Sequence, residues 1–312
     1  MSQPDVAAEL TLTDDLLLPF LLEVPDIRGR LARLGPTVDT ILTRHDYPEP
    51  VAHLLGEMLA LTSLLAGMLK FEGFFTLQTK GDGPVPLAVC DVTSAGELRG
   101  YAKVDREKLE AMEEPWEGAA PAAGRLFGKG VLAFTVDQGP ETERYQGIVE
   151  LTGPTLADSI LHYFRQSEQI NAGITLAAGH SAAGWRAGGL LLQELPDESG
   201  EDRGPSSTEE DDWRRCLILM SSCRREEILD PDLPAPDLLY RLFHEERVRV
   251  FRTRPLLVGC RCSRKNVESV LRSLPREEIE SLKEDGEVIV TCEFCNIDYR
   301  FDDEAMERIY AS

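Results

Sequence analysis

Positive charge is scarce in this chain of 312 residues. Lysine and arginine total 33 against 55 aspartates and glutamates, which gives a formal net charge of −22 at pH 7. An acidic surface of this kind repels phosphate backbones and anionic lipid head groups. We therefore expect binding neither to nucleic acid nor to membrane surfaces.

Long uncharged apolar runs are also missing. The most apolar stretch, residues 51–71, contains His53, Glu57 and Lys70, so it fits an amphipathic or buried helix better than a membrane span. The first 20 residues contain several acids and no basic residue, which argues against a secretory signal peptide. Together these features predict a cytoplasmic protein.

Cysteine is rare over most of the chain, with only Cys90, Cys216 and Cys223 in the first 259 residues. In a reducing compartment, clustered cysteines more often indicate metal or redox chemistry than structural disulfides. Cys216 and Cys223 lie seven residues apart on one face of a predicted helix. For this pair, buried packing is a better interpretation than metal binding.

Four further cysteines stand close to the C-terminal end as Cys-x-Cys, 29 residues, and Cys-x-x-Cys: Cys260, Cys262, Cys292 and Cys295. Two close pairs of thiols on separate segments are what a tetrahedral zinc site requires. No histidine follows His244, so a mixed ligand set is not available nearby. Four thiolates would fill the coordination shell of one Zn²⁺ per chain and leave no position for a substrate.

Two kinds of zinc site fit these cysteines. The spacing alone favours an inert structural site, whereas the less usual Cys-x-Cys pair favours a redox-responsive one. Zinc keeps sulfur in its nucleophilic thiolate form, and Arg261, Arg264 and Lys265 add positive potential beside the first pair. If an oxidant removed the metal, each cysteine would have a partner within its own pair. Both interpretations stay open at this point.

The patterning predicts an α+β protein with three parts. Residues 1–195 form an N-terminal α/β-type domain of sheet and helices, with a helix that opens at Pro48 or Pro50 and runs to about Leu69. Alternating apolar residues predict a β-meander and further strands that complete a sheet, together with one more helix. The predicted strands are 74–80, 85–92, 98–104, 131–136, 143–151, 174–178 and 188–192, and the second helix is 155–169.

Residues 196–255 are predicted to be an acidic and helical linker. From Glu194 to Asp212 there are nine acids and one base, and helices over 213–228 and 235–246 follow, separated by prolines. Such a segment needs a neighbour to pack against.

Residues 256–312 are predicted to form a small zinc module. Its elements are helices over 266–274 and 276–285, the second ended by Gly286, strands over 287–291 and 299–301, and a last helix capped by Asp302 or Asp303. Because a core this small is weak, metal should supply the missing stability.

Catalytic patterns are absent. The turn at Gly81-Asp82-Gly83-Pro84 lacks the Lys-Ser/Thr that grips phosphate, and His45-Asp46 fits capping or packing. The aromatic residues Trp185, Trp213 and Phe243 fit a core better than a ligand cage.

Two functions of other classes compete. One is an enzyme in the N-terminal domain, although no nucleophile or acid–base set is visible there. The other is a nucleic-acid-binding zinc ribbon, but the segment from Leu256 onward holds 8 basic and 13 acidic residues, and zinc with four thiolates adds two negative charges. We expect neither an enzyme nor a nucleic-acid binder.

Several motifs, in order, resemble one known family. They are the four cysteines above, together with HDYP (45–48), LKFEG (69–73), GDGP (81–84) followed by LAV (87–89), ERYQG (143–147), YFRQSEQ (163–169), AGG (187–189) and RLFHEE (241–246). The sequence resembles the bacterial 33 kDa chaperonin, a redox-regulated heat-shock holdase, over nearly its whole length. Asn296 stands where that family commonly has glycine, and asparagine tolerates left-handed backbone geometry well. The acidic stretch 197–212 looks longer than is usual in the family.

The resemblance implies an ATP-independent chaperone that is inactive while reduced and zinc-bound. Oxidation would form the disulfides Cys260–Cys262 and Cys292–Cys295, release zinc and unfold the linker. The exposed surface would then bind unfolding or oxidatively damaged client proteins, and the activated chain would form a homodimer. Neither the residues nor the resemblance identifies the client-binding surface.

Overall fold

The structure is a computed structural model that describes residues 14–23, 27–112, 123–139, 142–195, 207–284 and 286–311. The chain divides into two compact units, Met1–Val258 and Gly259–Ser312. The expected mixed fold of helices and sheets is confirmed. The expected middle part, residues 196–255, falls within the first unit, so the three-part division stays a prediction about function.

The first unit contains twelve strands and eight helices in its described residues. In chain order they are β1 (Leu16–Leu22), β2 (Ile27–Leu34), α1 (Pro36–Thr43), α2 (Glu49–Ala66), β3 (Phe74–Gly81), β4 (Leu87–Thr93), β5 (Glu97–Lys103), α3 (Arg106–Glu110), α4 (Ala123–Phe127), β6 (Gly130–Asp137), β7 (Tyr145–Glu150), α5 (Leu156–Tyr163), a π-helical turn (Phe164–Glu168), β8 (Ala172–Ser181), β9 (Gly184–Glu194), α6 (Ser207–Ser221), α7 (Arg225–Leu229), α8 (Ala235–Phe243), a 3₁₀ turn (His244–Glu246), β10 (Val248–Val250), β11 (Arg254–Pro255) and β12 (Leu257–Val258).

These strands form two six-stranded sheets. The first sheet has the order β10-β1-β2-β9-β8, with β11 also paired to β1, and the second has the order β12-β5-β4-β3-β6-β7. The strands predicted near 174–178 and 188–192 are present as β8 and β9, and they belong to a different sheet from the meander. They pair with each other, and β9 also pairs with β2, a strand that the apolar alternation did not reveal because Arg28, Arg30 and Arg33 interrupt it.

Helix α2 packs against strands of both sheets. Of its 18 residues, 15 are buried, which fits a helix with apolar residues on nearly every side. Pro48 is its N-cap and Pro50 lies in its first turn, as the sequence predicted, but the helix ends at Ala66 rather than near Leu69. The central core surrounds this helix.

The segment from α6 to α8 packs on one face of the first sheet. Apolar residues of these helices and of β1, β2 and β9 form a second core, in which Cys216, Cys223 and Phe243 are buried. Burial raises the pKa of Cys216 to about 12 and that of Cys223 to about 11, so both are inert thiols. The predicted helix over 213–228 is in fact two helices, because the chain leaves helical geometry after Ser221 and re-enters it at Arg225.

The second unit consists of α9 (Arg264–Ser273), α10 (Arg276–Ser281), β13 (Lys283–Glu284), β14 (Glu287–Thr291), β15 (Asp298–Phe301) and α11 (Asp303–Ala311). Its strands form an antiparallel sheet in the order β13-β14-β15. Seven buried apolar residues make up its core.

Three details of the second unit can be compared with the prediction. The second helix is shorter than the predicted 276–285, because residues 283–284 pair with β14 instead. Gly286 has the expected left-handed geometry (φ 84°), but it lies in the hairpin turn rather than at the end of a helix. Asp302, not Asp303, caps the last helix, since its Oδ1 accepts the backbone N–H of Ala305 at 2.8 Å.

No helix among the described residues is long and apolar enough to span a membrane.

Candidate metal centre

The first cysteine pair lies in the loop that leads into α9. Ser263 is the N-cap of this helix, and its Oγ accepts the backbone N–H of Asn266 at 3.2 Å. The side-chain amide of Asn266 in turn donates to the carbonyl of Arg261 at 3.1 Å. These two contacts hold the Cys260-Arg261-Cys262 turn against the helix start, so a cap and a turn position both sulfurs.

The second pair lies in the turn between β14 and β15. The backbone N–H of Cys292 donates to the carbonyl of Ile297 at 3.0 Å, and that of Asn296 donates to the carbonyl of Cys292 at 2.8 Å. Asn296 has a φ of 56°, which confirms the expected left-handed geometry at this position. The turn closes on itself and brings Cys292 and Cys295 to the same side.

The four sulfurs converge, as the spacing predicted. They all lie within 4.8 Å of one another. Cys260 Sγ is 3.2 Å from Cys262 Sγ and 3.7 Å from Cys292 Sγ, and Cys262 Sγ is 3.3 Å from Cys295 Sγ. A tetrahedron with zinc–sulfur bonds of about 2.3 Å has sulfur–sulfur edges of about 3.8 Å. The donor set and its spacing can therefore hold a metal ion and are compatible with zinc.

Protons and charge in the cluster are shared unevenly. Burial raises the pKa of the Cys260 thiol, but hydrogen bonds from the backbone of Cys262 and from the neighbouring thiols outweigh burial and lower it to about 7. Burial raises the pKa of Cys262 and, together with the Cys262 contact, that of Cys295. Four crowded thiols of this kind favour the binding of a divalent cation, because its positive charge stabilises four neighbouring thiolates.

Two side chains around the cluster support it. The hydroxyl of Tyr299 donates to Cys262 Sγ at 3.1 Å, and this contact raises the pKa of Tyr299 to about 12. The guanidinium of Arg264 lies 4.3 Å above the ring of Phe301 and forms an ion pair with Glu268 at 3.2 Å. The predicted positive potential beside the first pair is thus partly compensated at Arg264.

The other sequence candidates lie elsewhere. Within the described part of the chain, the four cysteines are the one group of potential ligands that could hold a metal ion. Asp82 accepts the backbone N–H of Lys129 at 2.7 Å, as a turn residue would. The His45 ring lies 5.0 Å from that of Tyr47, and the backbone carbonyl of Asp46 accepts from Arg106 at 2.8 Å. These contacts fit the capping or packing role that the sequence predicted for the two residues.

The sequence analysis missed two buried arginines that hold the segment after α6. Arg33, which is fully buried, donates to the backbone carbonyls of Glu227 at 2.7 Å and Asp230 at 3.2 Å, and also to that of Leu233. Arg186 donates to the carbonyl of Leu229 and pairs with Asp14. The position of these arginines within strands could have revealed their role from the sequence, because a strand seldom buries a charged side chain without a specific partner.

Comparison with known proteins identifies relatives along nearly the whole chain. The model of the family described as Hsp33 protein matches residues 15–302. A protein of Caulobacter vibrioides named 33 kDa chaperonin is 42% identical over 96% of this chain and 98% of its own length. A protein of Ectopseudomonas mendocina with the same name is 39% identical over 96% of each chain.

A solved structure has the same fold. It is the crystal structure of the 33 kDa chaperonin of Thermotoga maritima, which covers 95% of this chain and 98% of its own with a TM-score of 0.79 at 24% identity.

Proposed function

This chain belongs to the Hsp33 family of chaperones, and we propose that it is a zinc-dependent, ATP-independent holdase that oxidation activates. The observation that carries the proposal is the cluster of four thiols within 4.8 Å of one another on a unit with a small core. Such a cluster can serve as both a metal site and a redox sensor. An enzymatic role has no comparable support.

In the reduced state, Cys260, Cys262, Cys292 and Cys295 would hold one Zn²⁺ as thiolates. Structural zinc contributes roughly 10–16 kcal/mol to the folding of small zinc modules. The total stability of a typical domain is only about 5–15 kcal/mol. With seven buried apolar residues in its core, the second unit would therefore depend on the metal for its fold.

Oxidation would convert the thiolates into two local disulfides, Cys260–Cys262 and Cys292–Cys295. With peroxide as oxidant, each pair of thiolates gives up two electrons and forms one sulfur–sulfur bond. The peroxide O–O bond breaks, and the two oxygens leave as hydroxide or water. Two peroxides thus oxidise all four sulfurs, and Zn²⁺ leaves because a disulfide sulfur is a poor ligand for it.

The segment from α6 to β12 is the part of the first unit that such a change would loosen, since Gly259 alone separates β12 from Cys260. Its helices α6 to α8 cover an apolar face of the first sheet. That face consists of Leu16, Leu18, Phe20, Leu22, Ile27, Leu31, Leu190 and Leu192. A contiguous apolar surface of this kind would bind the apolar segments of unfolding client proteins once uncovered.

The functional division 1–195, 196–255 and 256–312 follows from this scheme, with the middle part as the segment that opens. Association of the activated chain into a homodimer and a cytoplasmic location complete the proposal. Both rest on the family rather than on a contact within the chain.

The test follows zinc release and suppression of client aggregation together, before and after peroxide with mild warming. We expect zinc to leave as holding activity appears, and a thiol reductant with added zinc to reverse both. Cys223→Ala serves as the control, because this cysteine is buried in the second core of the first unit and is not one of the four clustered thiols. Zinc that stays bound, or leaves without any gain of holding activity, would show the site to be merely structural.

A further inference from the structure

A large cleft opens on the first unit, and no cysteine is among its lining residues. It has a volume of about 780 Å³ and lies beside the C-terminal end of α2, between β1 and the turn that joins β4 to β5. Sites for small organic ligands usually have volumes of about 300–1,000 Å³. Much of its wall is apolar, with Leu17, Leu69, Phe71, Val92 and Leu256 among the lining residues. The cleft therefore has the size and the walls of a small-molecule site.

Three arginines share the sheet face next to this cleft, and one of them, Arg254, lines it. In the antiparallel register, Arg254 lies opposite Leu17 and Arg30 lies opposite Pro19. Directly opposed residues share a sheet face, and so do residues two apart on a strand. Arg28, Arg30 and Arg254 thus project from one face. It is the opposite face of the sheet from the one that α6 to α8 cover, since Arg33 belongs to that side.

Arg30 is the unusual member of this group. Its side chain is only 9% exposed, and its Nη1 has no hydrogen-bond partner among the residues that the structure describes. Burial, together with the positive charges of Arg28 and Arg254, lowers the pKa of Arg30 to about 10. Buried cations are normally paired, because an unpaired one costs several kcal/mol. In a chain with a net charge of −22, a buried arginine that has no carboxylate partner among the described residues is a specific feature.

Contacts connect Arg30 with the cleft. A Cβ placed on Gly67, which lines the cleft, would lie 3.1 Å from Cδ of Arg30 and 2.7 Å from Cδ2 of Leu17. Arg30 is not itself a lining residue, but its stem packs against the cleft wall at Gly67. Arg254 and Lys70 line the same cleft, where Glu72 is the one carboxylate among the lining residues.

We propose that this cleft binds a small amphipathic anion, with a carboxylate or phosphate head group between Arg30 and Arg254 and an apolar body against Leu17 and Leu256. The planar guanidinium of arginine matches both head groups with two parallel hydrogen bonds. Bound anion would supply the counter-charge that Arg30 lacks. The site is separate from the cysteines and from the proposed client-binding face.

The experiment uses the full-length, reduced and zinc-loaded protein in isothermal titration calorimetry. The probes are decanoate and decyl phosphate, with decanol as the uncharged control and inorganic phosphate as the head group alone. We expect saturable binding of one decanoate or one decyl phosphate per chain, and binding of decanol and of inorganic phosphate at least tenfold weaker. Decanol that binds as tightly as decanoate would overturn the anion site, and inorganic phosphate that binds as tightly would overturn the apolar part.

Three variants sharpen the test. Arg30→Met and Arg254→Gln should each weaken decanoate binding at least about tenfold, the loss expected for a charge-assisted hydrogen bond. Arg165→Gln removes an exposed arginine on the π-helical turn, which is not among the cleft-lining residues, and should leave binding unchanged.

Thermal unfolding gives a second readout that does not depend on binding heat. Without ligand, Arg30→Met should unfold at the same temperature as the wild type or at a higher one, because it removes an unpaired buried charge. Decanoate should raise the unfolding temperature of the wild type but not that of Arg30→Met. A variant that is destabilised yet still binds decanoate normally would show that Arg30 is structural and would overturn the proposal.

Discussion

Replacement of Arg33 by methionine should release α7 and the loop after it from the first sheet without any oxidant. Arg33 joins β2 to three backbone carbonyls, at Glu227, Asp230 and Leu233, and no other side chain reaches so many groups of that loop among the described residues. Methionine has a similar length and keeps the apolar contacts of the stem, but it donates no hydrogen bond.

The magnitude can be estimated from these contacts. Three carbonyls that lose their donor cost about 1 kcal/mol each, or about 3 kcal/mol together. This loss of stability is offset by about 1 kcal/mol, because the variant no longer buries a guanidinium whose Nε has no partner among the described residues. The net loss of about 2 kcal/mol corresponds to a roughly 30-fold larger population of the opened segment.

Hydrogen exchange measured by mass spectrometry is the appropriate assay, since exchange under native conditions reports local opening. In the reduced, zinc-loaded protein, amides of 225–243 should exchange roughly 30-fold faster in the Arg33→Met variant than in the wild type. Arg33→Lys should be intermediate, because an ammonium group cannot reproduce the planar fork. Arg28→Met is the matched control, since Arg28 lies on the same strand, is exposed and belongs to the other face.

Unchanged exchange over 225–243 in a folded Arg33→Met protein would refute the role given to this arginine. The same variant should suppress client aggregation partly while still reduced, because the apolar face of the first sheet would be uncovered part of the time. Faster exchange without any holding activity would show that this face is not where clients bind.

Four further outcomes are expected. Cys292→Ser should abolish tight zinc binding, as measured by zinc content after dialysis, and should leave the linker loosened under reducing conditions; a variant that still retains one zinc per chain would contradict the four-ligand assignment. Removal of zinc by a chelator under reducing conditions should unfold residues 259–312, seen as lost dispersion of their NMR signals, because a core of seven apolar residues is too small alone. Asn296→Ala should lower zinc affinity by about 1 kcal/mol while Asn296→Gly should not, because φ is 56° there, a left-handed conformation that asparagine and glycine adopt more readily than alanine; equal affinities would mean that the turn tolerates alanine. Burial raises the pKa of Glu57 to about 7 from an ordinary 4.5, so its contribution to stability is fully present below about pH 4.5 and is lost as the pH rises through 7. Glu57→Gln should therefore raise the free energy of unfolding at pH 8 by about 2–3 kcal/mol, as measured by urea denaturation. If the variant and the wild type lose the same stability between pH 5 and pH 8, the charged Glu57 carboxylate is not destabilised by burial.

The metal centre was predictable because its information is local. Cys-x-Cys and Cys-x-x-Cys each place two sulfurs within one turn, and a hydrogen-bonded turn sets that geometry almost independently of the rest of the chain. The left-handed residue after Cys295 was predictable for the same reason, since asparagine is one of few residues that accept it.

The sheets were predictable only in part. Strands β3 to β5 alternate clearly and were placed within a few residues of their observed bounds, because each has one buried and one more exposed face. Strand β2 was missed because both of its faces are buried and three arginines interrupt the apolar pattern. The division into two sheets depends on which strands pair over long sequence distances, and alternation says nothing about partners.

The sequence by itself thus determined the chemistry of this protein: four convergent thiols, an acidic surface and segments whose periodicity makes them helices or strands. These properties depend on residue types and short spacings. Only the tertiary structure decided that α6 to α8 cover an apolar sheet face, that Arg33 fastens the loop over it, and that Arg30 lies beside a cleft with its Nη1 unpaired among the described residues. Each of these joins groups far apart in the chain, and whether a buried arginine is paired depends on distant atoms that local patterns do not encode.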